Sequence, residues 1–164
     1  MHGCLFLRGG RLLLLAAGLL LGNQAAAAEE DSAAWTMRDE RFTHPLKAGT
    51  PVCITNLVGD VRVRETVDPS LTVVAMIQQR REDPRRAVIT RGDVLPCQLE
   101  ATFPGDAPAD LYPPGRAPRV DLTVMVPPGA AITIVTAGGR IEAKGVSGDV
   151  TARSDTGCIV IRTP

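Results

Sequence analysis

The chain of 164 residues carries 18 basic and 18 acidic side chains, two histidines and only five aromatics. Zero net charge argues against a general nucleic-acid binder, and two histidines, one of them His2, cannot build a multi-histidine zinc site. So few aromatics leave little for stacking bases or for a large aromatic core.

Residues 1–28 read as a secretory signal peptide. Arg8 and Arg11 form a positive start, Leu12 to Leu21 an apolar stretch, and Ala26-Ala27-Ala28 a small-residue cleavage site before Glu29. The apolar stretch is short for a membrane span, so an exported protein is expected, periplasmic or associated with the cell envelope, with no transmembrane helix after cleavage. Cleavage would leave 16 basic residues against 18 acidic ones, and three cysteines: Cys53, Cys97 and Cys158. An oxidising compartment allows one disulfide among three possible pairings. Cys158 falls on the solvent side of its strand pattern, so Cys53 with Cys97 is the preferred candidate.

Residues 29–41 are acidic and Ala-rich and read as a flexible segment, with Trp35 and Phe42 as caps on whatever follows. Gly49 to Arg64 predicts two short strands, with Val52, Ile54, Val61 and Val63 inward. Leu71 to Ile77 alternates as a third. Gln78 to Arg86 holds four arginines with Glu82, Asp83 and Pro84. It reads as a solvated turn, with contact to an anionic lipid headgroup or envelope polymer as its functional alternative. Val88-Ile89 and Gln98 to Phe103 are short strand candidates. Pro104 to Pro118 is a Pro-rich loop, and Val120 to Val126 is a clear strand ended by the turn Pro127-Pro128-Gly129.

The last third repeats. Gly139, Gly148 and Gly157 are nine residues apart, and the apolar pairs Ile132/Ile134, Ile141/Ala143, Val150/Ala152 and Ile159/Ile161 recur at the same period. Alternation within each row is a half-buried strand. A fixed short period between rows marks a solenoid, because a strand this short buries its inner face only by stacking on the next row. Two rows per turn make a flattened coil and three a triangular one; the period alone does not choose. The tripeptide Gly-Asp-Val occurs at 59–61, 92–94 and 148–150. Asp there reads as a turn residue bonding nearby amides rather than as a calcium ligand.

The order of these elements is what carries a family resemblance: Gly59-Asp60-Val61-Arg62-Val63, then Val120 to Ile132 with its Pro-Pro-Gly turn, then Thr136 to Ala143 and Ser147 to Ala152. Over residues 42–164 the chain resembles the bacterial exported "putative adhesin" domains of unknown function, with short Ser-Gly-Asp-Val-type rows. The resemblance implies an all-β fold, a short right-handed parallel β-solenoid with irregular N-terminal strands. It implies no catalytic residues and no cofactor, and relatives commonly continue with further rows. The expected function is a non-enzymatic binding or structural module of the cell envelope, its partner an unidentified protein or envelope polymer. The alternative is an accessory or stress-signalling partner of an envelope membrane protein.

Enzyme readings compete poorly. A polysaccharide-active β-helix would draw on Asp60, Asp149, Asp155, Arg62 and Arg153, but nothing in their spacing sets two carboxyls across a groove. His44 lacks a nucleophile elbow nearby. No metal site is expected. Arg91-Gly92-Asp93 is short enough to arise by chance. The candidate binding surface is the outward basic column Arg64, Lys144, Arg153 and Arg162, whose plainer reading is a solubilising ladder. An unpaired edge on the row Ile159–Arg162 predicts edge-to-edge self-association.

Overall fold

The computed structural model describes residues 34–46, 49–91, 99–105 and 116–164. The signal peptide, Gly92-Asp93, Cys97 and most of the Pro-rich loop lie outside the described residues. The strands are β1 (Trp35–Pro45), β2 (Val52–Val58), β3 (Val61–Glu65), β4 (Ser70–Arg80), β5 (Val88–Arg91), β6 (Leu99–Thr102), β7 (Arg119–Val126), β8 (Ile132–Gly138), β9 (Ile141–Lys144), β10 (Val150–Ser154) and β11 (Ile159–Arg162). The described residues are all-β, without helices.

The strands form two sheets, one in the order β1-β4-β7-β3-β9-β11 and the other β10-β8-β2-β6-β5. Both are mixed, where a parallel β-solenoid with irregular N-terminal strands was expected. β1 with β4, β4 with β7 and β5 with β6 are antiparallel; the other pairs are parallel. Chain length explains β4. Only residues 66–69 separate it from β3, too few for the crossover of a dozen or more residues that a parallel neighbour in the same sheet needs. The chain therefore reverses, and β7 enters between the two.

Residues 29–41 were expected to form a flexible segment; the described part from Trp35 is strand instead. Residues 35–41 are the first half of β1, which pairs with β4 from Trp35↔Arg80 to Pro45↔Ser70. β1 is an edge strand with Met37, Arg38, Asp39 and Arg41 exposed, so no apolar alternation announces it.

Each sheet turns its apolar side chains to one shared core. Val61, Val63, Leu122, Val124, Ile141 and Ala143 of the first sheet and Val52, Ile54, Leu99, Ala101, Ile132 and Ile134 of the second are all at most 2% exposed. Inward Val, Ile and Ala fill this interior, which is why aromatics are scarce. Full burial of one such Val or Ile stabilises by about 1.5–3 kcal/mol.

The nine-residue period has a structural value. Val150 pairs with Ile132 and Ile159 with Ile141, eighteen residues apart in each case. Successive nine-residue rows thus alternate between the sheets: β8 and β10 in one, β9 and β11 in the other.

Candidate functional site

The most highly built polar region is the corner where β2 passes to β3 and β8 to β9. Gly59 and Gly139 take φ of +133° and +142°, accessible in practice only to glycine. They also stack. A Cβ on Gly139 would overlap the Gly59 carbonyl, one on Gly59 the Val120 carbonyl, and one on Gly157 the Gly139 carbonyl. Asp follows the corner for a reason. The Asp60 amide donates to Asp121 Oδ1 at 2.8 Å, and the Arg140 amide donates to Asp60 Oδ1 at 3.0 Å. Each carboxylate caps the corner amide of the next row. Arg119 braces both, 2.6 Å from Asp121 and 3.2 Å from Asp60, and Arg62 reaches Asp60 at 3.2 Å.

Behind the corner runs a polar column that the apolar reading of the rows missed. Asn56, Thr136 and Ser154 each lie three residues before a corner glycine, with Asn56 and Thr136 register partners on the second sheet. Asn56 Nδ2 donates to the carbonyls of Val120 (2.8 Å) and Gly59 (3.1 Å), and Ser154 Oγ to that of Gly139 (2.9 Å). The sequence signal was present, a small polar residue three positions before each of Gly59, Gly139 and Gly157. At the opposite end Glu65 accepts from the Ser147 amide at 2.8 Å and hydroxyl at 2.5 Å, and the Gly129 amide donates to the same hydroxyl at 3.0 Å. Those hydrogen bonds from Ser147 hold the Glu65 carboxyl below its ordinary range.

The predicted basic column is divided. Arg64, Lys144 and Arg162 stand in register across β3, β9 and β11. Arg153 is on β10 in the other sheet, opposite Val135, with its side chain 76% exposed and 3.2 Å from Asp155. Glu142, only 8% exposed on the outer face of the first sheet, lies 2.7 Å from Lys144, 2.5 Å from Arg64 and 3.0 Å from Arg140. Hydrogen bonds from Lys144 and then Arg64 lower its pKa to about 2. Three of the four basic candidates are therefore paired with a carboxylate, Arg64 and Lys144 with Glu142 and Arg153 with Asp155.

The remaining candidates are dispersed. Asp149 is exposed before β10, and its carbonyl accepts from the Ile132 amide. His44 is in β1, opposite Leu71. Cys53 is half-buried on β2 and disulfide-bonded; Cys158 is exposed at the entry to β11. Among the described residues no group of three or more His, Cys, Asp or Glu side chains is placed to hold a metal, and no helix is long and apolar enough to cross a membrane.

The β10 and β11 edges complete the inventory. Each pairs on one side only among the described residues, β10 with β8 and β11 with β9. Their inward residues are less covered than those of earlier rows, Ile159 being 41% and Ile161 44% exposed.

Comparison with protein-family models and with curated proteins finds no match. Among solved structures, the chain is similar to a crystal structure described as a putative cell adhesion protein from Clostridium sporogenes. The two are 13% identical with a TM-score of 0.45, over 74% of this chain and 59% of that one. This chain thus spans less than two thirds of that protein's length.

Proposed function

We propose that the protein is an exported, non-enzymatic binding module of the cell envelope, built on a two-row β-solenoid and engaging a second copy of itself through the edges of β10 and β11. The eighteen-residue register supports the solenoid: each turn of chain closes on the one before it, with one strand in each sheet. The function rests on a single observation: among the described residues β10 and β11 each pair on one side only, with Ile159 and Ile161 half exposed.

The geometry favours self-pairing. The Ile141 amide donates to the Cys158 carbonyl and the Gly145 amide to the Arg162 carbonyl. Backbone groups alternate sides along a strand, so those of Ile159 and Ile161 point away from β9 and are free to pair. A turn that closes with two straight strands must run them in opposite directions. A two-fold axis across the end then sets β11 antiparallel to a partner edge and β10 likewise, so both edges are satisfied together. Residues 156–161 carry no charge to oppose this. The basic column is the weaker contact, because Glu142 already holds Arg64 and Lys144.

A disulfide between Cys53 and Cys97 belongs to the same reading. Cys97 precedes Leu99 by two residues in the sequence, and Leu99 is the register partner of Ile54, the residue after Cys53.

Sedimentation across a wide concentration range tests the function. Concentration-dependent dimers are expected. Ile161→Pro removes an amide that faces away from β9 and should leave monomers with an intact β spectrum, and Ile161→Lys should do so by charge. A parent chain that stays monomeric at high concentration, or variants that associate equally well, would overturn the proposal.

A further inference from the structure

At the far side of the first sheet, β1 and β4 extend past the core. On β4 the inward set Leu71, Val73, Ala75 and Ile77 is fully apolar; it continues as the buried Gln79, and exposed Arg81 follows just past the strand's end. Across from these, β1 places Thr36 opposite Gln79 and Arg38 opposite Ile77. β1 has β4 as its sheet neighbour, while the second sheet ends at β5. The face therefore changes from core to polar where it leaves the shared interior, and a cleft of about 320 Å³ opens there, lined by Thr36, Arg38, Ile77, Gln79, Arg81 and Arg86.

Among the described residues, three guanidiniums line this cleft and no carboxylate does. Arg38 is shared with Glu40, 3.2 Å away on the same strand. Among the described residues neither Arg81 nor Arg86 has a carboxylate partner. The Arg86 Nη1 atom donates to the carbonyls of Asp83 and Arg85, both at 3.1 Å, and these hold the side chain in place. The turn that carries it is cross-braced. The Asp83 carboxylate is buried, accepts from the Arg85 amide at 3.0 Å, and pairs with the Arg85 guanidinium at 2.7 Å. Gln79 Nε2 donates to the Arg85 carbonyl at 3.1 Å, tying the turn back to β4. The expected solvated turn is thus an ordered one that spends Asp83 on Arg85 and leaves Arg81 and Arg86 available.

We infer that this cleft is an anion site for a phosphoryl group. Three positive charges around one cavity exceed what a single carboxylate balances. Planar guanidiniums donate in pairs to phosphate oxygens, and the apolar Ile77 floor keeps the local dielectric low. A free phosphate ester and the phosphate of a lipid headgroup present the same chemistry. The site lies on β1, β4 and the following turn, so it stands independently of the association proposed through β10 and β11.

The test is a titration of the folded chain with inorganic phosphate, followed by amide chemical shifts. Parallel arms use acetate at equal ionic strength and vesicles of phosphatidylglycerol in phosphatidylcholine. Saturable shifts in residues 36–38 and 77–86 are expected with phosphate. Arg81→Gln together with Arg86→Gln should weaken binding at least 10-fold, while Arg153→Gln on the other sheet leaves it unchanged. Phosphate and vesicle binding, both lost in the double variant, assigns a lipid headgroup. Phosphate binding without vesicle binding assigns a soluble ester. Binding absent for phosphate, equal for acetate, or unaltered in the double variant overturns the site.

Discussion

The two ends of the first sheet solve the same problem in opposite ways. At one end, two eleven-residue antiparallel strands lie beyond β7, and the outer one, β1, carries charge along its exposed positions. At the other end the outermost strand among the described residues is β11, four residues long, with Ile159 and Ile161 half exposed. Long, charged antiparallel strands cover an edge; a short apolar row leaves one open. The same nine-residue unit is therefore core where it has neighbours on both sides and surface where it has one.

Inner and outer rows should respond differently to substitution. The largest effect is expected at the corner. Gly139→Ala forces a side chain onto a φ of +142° and into the Gly59 carbonyl of the row beneath. The backbone cost of about 1–3 kcal/mol adds to a displaced row, for a total above about 3 kcal/mol in chemical denaturation. Gly49→Ala, at φ of +77° with open space around it, should cost only the backbone part. Next, Ile134→Ala empties a fully buried position and should lose about 2–5 kcal/mol. Ile161→Ala, the equivalent position on the outer row, should lose less than about 1 kcal/mol when the protein is dilute. Equal losses would erase the distinction between inner and outer rows.

Acid should loosen the charged face of the first sheet. Glu142 has its pKa lowered from an ordinary 4.5 to about 2, so it stabilises the fold fully above the ordinary value. That contribution disappears as pH falls through the interval down to about 2. Melting temperatures of the parent and of Glu142→Gln should differ at pH 6 and converge as pH approaches 2. A difference that persists undiminished would remove the ion cluster from the account. The smallest effect is expected in the polar column. Thr136 Oγ1 is buried without a hydrogen-bond partner, so Thr136→Val should be neutral or stabilising by up to about 1 kcal/mol.

The rows were legible because alternation and a fixed glycine spacing both survive in the sequence. Val61/Val63, Ile132/Ile134 and Ile141/Ala143 face inward as their pattern requires. The Asp60 turn was also legible, since a short carboxylate after a corner glycine has amides within reach. β1 was not, because its pairing is written in β4 rather than in its own polar residues. Nor was the division of the basic column. Spacing by nine aligns Lys144, Arg153 and Arg162 in sequence, but alternate rows belong to different sheets, so Arg153 faces elsewhere. Glu142 was passed over because an outward carboxylate shows its value only when Arg64, seventy-eight residues away, comes beside it.

Amide hydrogen exchange measured at low and at high protein concentration tests the open-end account most directly. Amides of β3 and β7, in the middle of the first sheet, should be protected at both concentrations. Those of Ile159 and Ile161 should exchange freely when dilute and become protected as copies pair. Protection at Ile159 and Ile161 that does not change with concentration would contradict the account.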